Sequence, residues 1–158
     1  MRSKIKSGDI LAFSHKGWNS WKDFKSQMVR VFTRSEYSHV CTAWVVGDRV
    51  FVIEAVVPEV RIYPLSKLGD FYWIPTNAKW ATNTEETALS HVGDKYSQLV
   101  AMEAYFRDLG KGNTQECAAL TMLIASCDNI DLGHRQTPDA VVLSAQLIGN
   151  PIYYITNE

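Results

Sequence analysis

The sequence predicts an α+β domain in which a mainly antiparallel sheet packs against helices. Short runs rich in Val, Ile, Phe, Tyr and Trp at 40–46, 50–57, 60–63 and 71–75 follow one another across turn-sized gaps. Helix-forming segments lie before and after these runs instead of alternating with them, which separates this pattern from a parallel α/β sheet. With 158 residues, 46% hydrophobic and 21% charged, the chain reads as one globular domain over residues 1–158 with a single core.

In order, Gly8 to Phe13 forms a short strand, and Trp18 to Phe32 carries Trp18, Trp21, Met28, Val31 and Phe32 at helical spacing, with Lys22, Lys25 and Arg30 elsewhere on the helix. Val40 to Val46 and Arg49 to Val57 are strands joined by Gly47-Asp48, a two-residue hairpin with Gly first. After the strands near 60–63 and 71–75, Thr84-Glu85-Glu86-Thr87 opens a helix with a capping box, in which Thr84 is the cap, Thr87 is a weak match and the acids suit the first turn; the helix pauses at Gly93 and resumes from Ser97 to Leu109. An apolar helix begins at Cys117. Thr137-Pro138-Asp139 starts another, with Thr as N-cap and Pro at the first helical position, running to about Leu147, and Ile152 to Thr156 closes the chain as a strand.

A net charge of −1 gives no electrostatic reason to expect nucleic acid as a partner. No apolar run approaches the roughly 20 residues that span a bilayer, and the basic start Met1 to Lys6 leads into Gly8-Asp9 instead of an apolar core. The expectation is a cytoplasmic protein, or one exported by another route such as a phage particle or secretion system. Three cysteines, at 41, 117 and 127, are odd in number and show no paired spacing, which suits a reducing compartment and argues against structural zinc. His15, His91 and His134 have no ligand-like spacing and read as surface or structural, so no metal and no cofactor is expected.

Cys117 stands where the polar, turn-forming run Lys111 to Glu116 gives way to the apolar run Ala118 to Ala125. A thiol in the first turn of a helix has its thiolate favoured by the unpaired amides and the helix dipole. A lone Cys at such a place is also a common apolar filler, and it becomes a candidate nucleophile only with a base. His39, beside a strand, can serve as that base, and Glu54 lies inside the apolar stretch Phe51 to Val57, where a carboxylate is costly unless paired. If Val46 faces Arg49, Cys41 lies opposite Glu54, and His39 and Glu54 are diagonal neighbours on one face, able to hydrogen-bond. A three-residue loop would put Glu54 on the other face. In the first register Cys41 shares the face of His39, as a cleft neighbour or a packed apolar thiol.

Gly8-Asp9-Ile10-Leu11, Tyr37-Ser38-His39-Val40, Val52-Ile53-Glu54-Ala55, Val60 to Leu65, Gly93-Asp94-Lys95-Tyr96 and Glu116-Cys117 resemble, in this order, the circularly permuted papain-like hydrolases. These are the YiiX-like branch of the NlpC-type cell-wall hydrolases, related to the lecithin–retinol acyltransferases. Each motif is short; their order, with His ahead of Cys over residues 7 to 145, carries the likeness. The resemblance implies a permuted papain-like fold, with Cys117 as nucleophile, His39 as general base and Glu54 as the residue that orients it. This chain departs from the family where Ala118 and Ala119 follow the nucleophile in place of Ser, and where Glu59-Val60 precedes Arg61 in place of Gly, so specificity is not carried over.

The implied activity is cysteine-dependent hydrolysis of amide bonds in peptidyl or N-acyl substrates, cell-wall peptides among them, through a thioester. The alternatives are a lipid acyltransferase or thioesterase on the same fold, or a non-catalytic binding or structural module. The implied partner is a small peptidyl, acyl or lipid-like substrate. Trp18 and Trp21 would wall an apolar part of it, or else belong to the core; Tyr96 falls near the cleft in the family pattern, or else is a half-buried helix residue.

Overall fold

The structure, a computed structural model, describes residues 2–14, 36–95 and 116–156. Six strands form one sheet: β1 (Ile10–Ser14), β2 (Tyr37–Val46), β3 (Arg49–Ala55), β4 (Val60–Pro64), β5 (Phe71–Ile74) and β6 (Tyr153–Ile155), in the spatial order β4-β3-β2-β1-β5-β6. Every pairing is antiparallel. Three helices are described, α1 (Thr82–Ser90), α2 (Glu116–Cys127) and α3 (Pro138–Leu147), and the architecture is the expected α+β.

Side-chain alternation divides the core in two. Leu11 and Phe13 of β1, Cys41 and Ala43 of β2, Val52 of β3 and Phe71 and Trp73 of β5 pack with Ile5, Leu65 and Leu68. The intervening residues Ile10, Ala12, Val40, Ile53, Ala55 and Ile74 pack with Leu120 and Ile124 of α2 and Val141, Val142 and Ala145 of α3. Helix α2 is buried along nearly its whole length, as its Ala-Ala-Leu-Thr-Met sequence requires of a helix that touches sheet and helices on several sides.

The β2–β3 hairpin folds in the register expected of its turn. Gly47 takes φ +58°, Val46 pairs with Arg49, and the ladder runs to Thr42 opposite Ile53. Continuing it puts Cys41 opposite Glu54. Strand β3 stops at Ala55, short of the expected Val57, because Pro58 brings no N–H to a ladder. At the other margin of β2 the pairing with β1 shifts: Phe13 faces His39 but Ser14 faces Tyr37, so Ser38 is the extra residue of a bulge, and its hydroxyl donates to the Phe13 carbonyl at 3.1 Å.

Three local readings change. Helix α1 begins at Thr82 with Ala81 as N-cap, and Thr84 lies inside it; its hydroxyl donates to Asp128 at 2.8 Å, so it cannot cap the helix from within. The first strand is shifted to Ile10–Ser14, because Ser7 and Gly8 form a turn closed by the Asp9 amide donating to the Lys6 carbonyl: Gly8 has φ +88°, and a Cβ there would run into Ala78. Short 3-10 turns at Arg2–Lys4 and Leu65–Lys67 were not expected. Helix α3 starts as read, with the Thr137 hydroxyl accepting from the Ala140 amide at 3.3 Å. The expected helices over Trp18 to Phe32 and Ser97 to Leu109 lie outside the described residues.

Asp9 fastens the segment before β1 to the neighbouring strand β5 and the residues after it. Its buried carboxylate accepts from the Lys6 amide at 2.9 Å, the Trp73 indole at 2.8 Å and the Thr76 amide at 3.2 Å. Asp9→Ala leaves the Trp73 and Thr76 donors buried without this acceptor and should cost about 2–3 kcal/mol in urea denaturation; an unchanged midpoint would show that water replaces the carboxylate.

Candidate active site

The site is built where β2, β3, β4 and the start of α2 converge. His39 follows the Ser38 bulge and is wholly buried, with its ring 6.0 Å from that of Phe13. Glu54, also wholly buried, reaches it across the hairpin: Glu54 Oε2 lies 2.9 Å from His39 Nε2. Arg61, opposite Glu54 on β4, grips the other oxygen, its Nε donating to Oε1 at 2.8 Å and its Nη2 lying 2.8 Å from the same atom. The guanidinium itself rests over the Tyr63 ring, 4.3 Å from its centroid.

Cys117, the second residue of α2, lies near the imidazole and favours its charged form. It lies in the first described turn of α2, and the Thr121 hydroxyl donates to the Cys117 carbonyl at 2.9 Å. The structure therefore brings His39 and Glu54 into direct contact and places Cys117 near the ring.

Burial alone would push the His39 ring toward its neutral form. Its interactions with Cys117 and with the Glu54 carboxylate overcome that and carry its pKa from 6.5 up to about 9. Glu54 shows the converse balance: burial raises its pKa, but the His39 hydrogen bond and charge, followed by Arg61, bring it below the usual carboxylate value. The pair is thus charged at neutral pH. Cys41, two residues from His39 in the same strand, is wholly buried; burial first, then the charges of Glu54 and Cys117, push its thiol well up, which makes it unreactive as a nucleophile.

Arg61 and Ser38 stood within the quoted motifs but were given no role from the sequence. Arg61 could have been, since a buried carboxylate demands a partner, but its place opposite Glu54 depends on the β3–β4 register. Of the other histidines, His91 bonds Asp94 at 2.8 Å and His134 is exposed. His15, Tyr96, Trp18 and Trp21 lie outside the described residues.

The linkage of this pair to folding has a definite sign. His39 is raised, so its contribution is complete below pH 6.5 and is lost as pH rises through about 9. Glu54 is lowered, so its contribution is complete above 4.5 and is lost as pH falls below that. Denaturation of the native chain should therefore become easier from pH 6.5 to about 9, and Glu54→Gln should flatten that decline by letting burial keep His39 neutral. An equal alkaline decline in both proteins would assign the effect to other groups.

No protein-family model matches this sequence, and no curated protein is similar to it at a significant level. Among solved structures, the metalloprotein yiiX from Escherichia coli O157:H7 has a similar fold, with a TM-score of 0.51 and 18% sequence identity. The match covers 78% of this chain and 66% of that one, so this chain spans slightly less than two thirds of the neighbour's length. The likeness is one of fold, and it agrees with the YiiX-like architecture expected from the order of the sequence motifs.

Proposed function

We propose that this protein is a cysteine-dependent hydrolase of amide bonds, acting on small peptidyl or N-acyl substrates through a thioester, on a permuted papain-like fold. One observation carries the reading: the buried His39 imidazole is paired with the Glu54 carboxylate, itself anchored by Arg61, and lies near the Cys117 thiol in the first turn of α2. A packing role for these residues would not call for an ion pair buried beside a thiol, since burying charge is costly and apolar residues of similar volume would serve.

In the proposed reaction Nε2 is committed to Glu54, so the proton exchanged with sulfur passes through Nδ1. Because His39 is charged at neutral pH, the proton exchanged with sulfur already rests on the ring, and Cys117 attacks the substrate carbonyl as the thiolate to form a C–S bond. The imidazolium then returns the proton to the leaving amine as the C–N bond breaks. Water, deprotonated by the now neutral ring, hydrolyses the thioester and frees the thiol. Developing negative charge on the carbonyl oxygen falls near the amides at the start of α2, where a helix N-terminus favours an anion. Glu54 stays ionised throughout and holds the ring's orientation, with Arg61 fixing Glu54 in turn.

Two measurements test this. Brief labelling with iodoacetamide, read by mass spectrometry, should modify Cys117 before Cys41 and before Cys127, although Cys127 is the more exposed thiol, and His39→Ala should slow it. Labelling led by Cys127 and indifferent to His39 would contradict an activated thiol. In a screen of N-acyl amino acids, wall-derived peptides and phospholipids, Cys117→Ala and His39→Ala should lower kcat by about 1,000-fold or more, and Glu54→Gln by less. Turnover confined to phospholipids would favour the lipid acyltransferase alternative; turnover that survives in Cys117→Ala would exclude a thiol mechanism.

A further inference from the structure

We propose that His39, Cys41 and Glu54 form a binding site for a thiophilic divalent cation, Zn2+ above all, and that filling it switches off the hydrolase proposed above. The ion site itself stands on the donors alone; only the inhibition rests on the hydrolase reading.

The three residues each offer one ligand atom, and these atoms all lie within 4.8 Å of one another in a wholly buried position. Bonds to zinc are about 2.0–2.3 Å for nitrogen, oxygen and sulfur, so the donors around one ion sit roughly 3–4 Å apart. His39 Nε2 and Glu54 Oε2 are already 2.9 Å apart, and the cluster needs to adjust by about an ångström around an ion. No sequence spacing announces the set, because it is made by a strand and its hairpin partner. His39 and Cys41 are two apart in β2 and so share a face, and the register places Glu54 opposite Cys41.

The donor chemistry selects the ion. One sulfur, one imidazole nitrogen and one carboxylate oxygen suit Zn2+ and disfavour Mg2+ and Ca2+, which require oxygen ligands. Glu54 would give Oε2 to the ion and keep Oε1 on Arg61, the outer contact that orients a ligating carboxylate. The proposed reaction uses His39 and Glu54 but has no task for Cys41, and the ion site gives it one.

Inhibition follows from proton positions. On binding, the Cys41 thiol and His39 Nε2 each release a proton to solvent, and the ion takes Nε2. The ring, now neutral with its one proton on Nδ1, no longer offers Cys117 the positive charge that favours a thiolate, and it cannot pass that proton to the leaving amine without becoming an anion. The ion would also remove the carboxylate contact that orients the ring.

The test titrates the full, reduced chain with Zn2+ against a chromophoric chelator and, separately, records the Co2+ spectrum. We expect one ion per chain and a thiolate-to-cobalt charge-transfer band. Both should persist in the double variant Cys117→Ala/Cys127→Ala, whose one remaining cysteine is Cys41, and Cys41→Ala should weaken binding by about 100-fold or more. With a substrate in hand, Zn2+ should inhibit the native protein, while Cys41→Ala should turn over normally and resist the ion. Absence of stoichiometric binding, or binding that survives in Cys41→Ala and fails in the double variant, would overturn the site. If Cys41→Ala does not fold, the cobalt band in the double variant decides alone. Cys41-dependent binding by a protein that turns over no substrate sustains the ion site and counts against the hydrolase instead.

Discussion

A single buried carboxylate organises this region. Glu54 has no exposed surface, and a lone charge there would be expensive or would neutralise. It is kept ionised because its two oxygens are divided between two cations, Oε2 for His39 and Oε1 for Arg61. That division links three strands, since His39 is on β2, Glu54 on β3 and Arg61 on β4. Anything that loosens the β3–β4 pairing therefore reaches the imidazole, and through it Cys117.

The sheet and helices can be read as the means of making that contact. The two-residue turn at Gly47 and Asp48 sets the register that aims Glu54 at His39, and the Ser38 bulge alters the strand immediately before the imidazole. Helix α2, described from Glu116, carries Cys117 in its first described turn. Meanwhile Asp9 fastens β1, the neighbour of β2, to β5. Local chemistry thus sets each residue's place, and long-range pairing brings the places together.

How much of this was legible in the sequence follows the same division. The hairpin register was, because Gly47-Asp48 is a local signal, and with it the His39–Glu54 pairing. The cap of α3 was legible for the same reason, since Thr137 and Pro138 act within one turn. The start of α1 was misread at Thr84, because Asp128, 44 residues away, takes the hydroxyl that was assigned to a cap. Arg61 was overlooked because its role depends on a β4 register that no turn residue announces. Cys41 was seen as a neighbour of His39, but its convergence with Glu54 as a possible ligand set depends on geometry across the strands.

The central claim is that Cys117, His39 and Glu54 behave as one electrostatic unit. It is tested most directly by NMR of the protein carrying isotopically labelled histidine, following the His39 ring through a pH titration in the native chain and in Cys117→Ala. The account requires His39 in the native chain to keep its second proton to about pH 9 and to release it at a clearly lower pH once the sulfur is removed. A ring that titrates near 6.5, or that titrates at the same pH with and without Cys117, would contradict it.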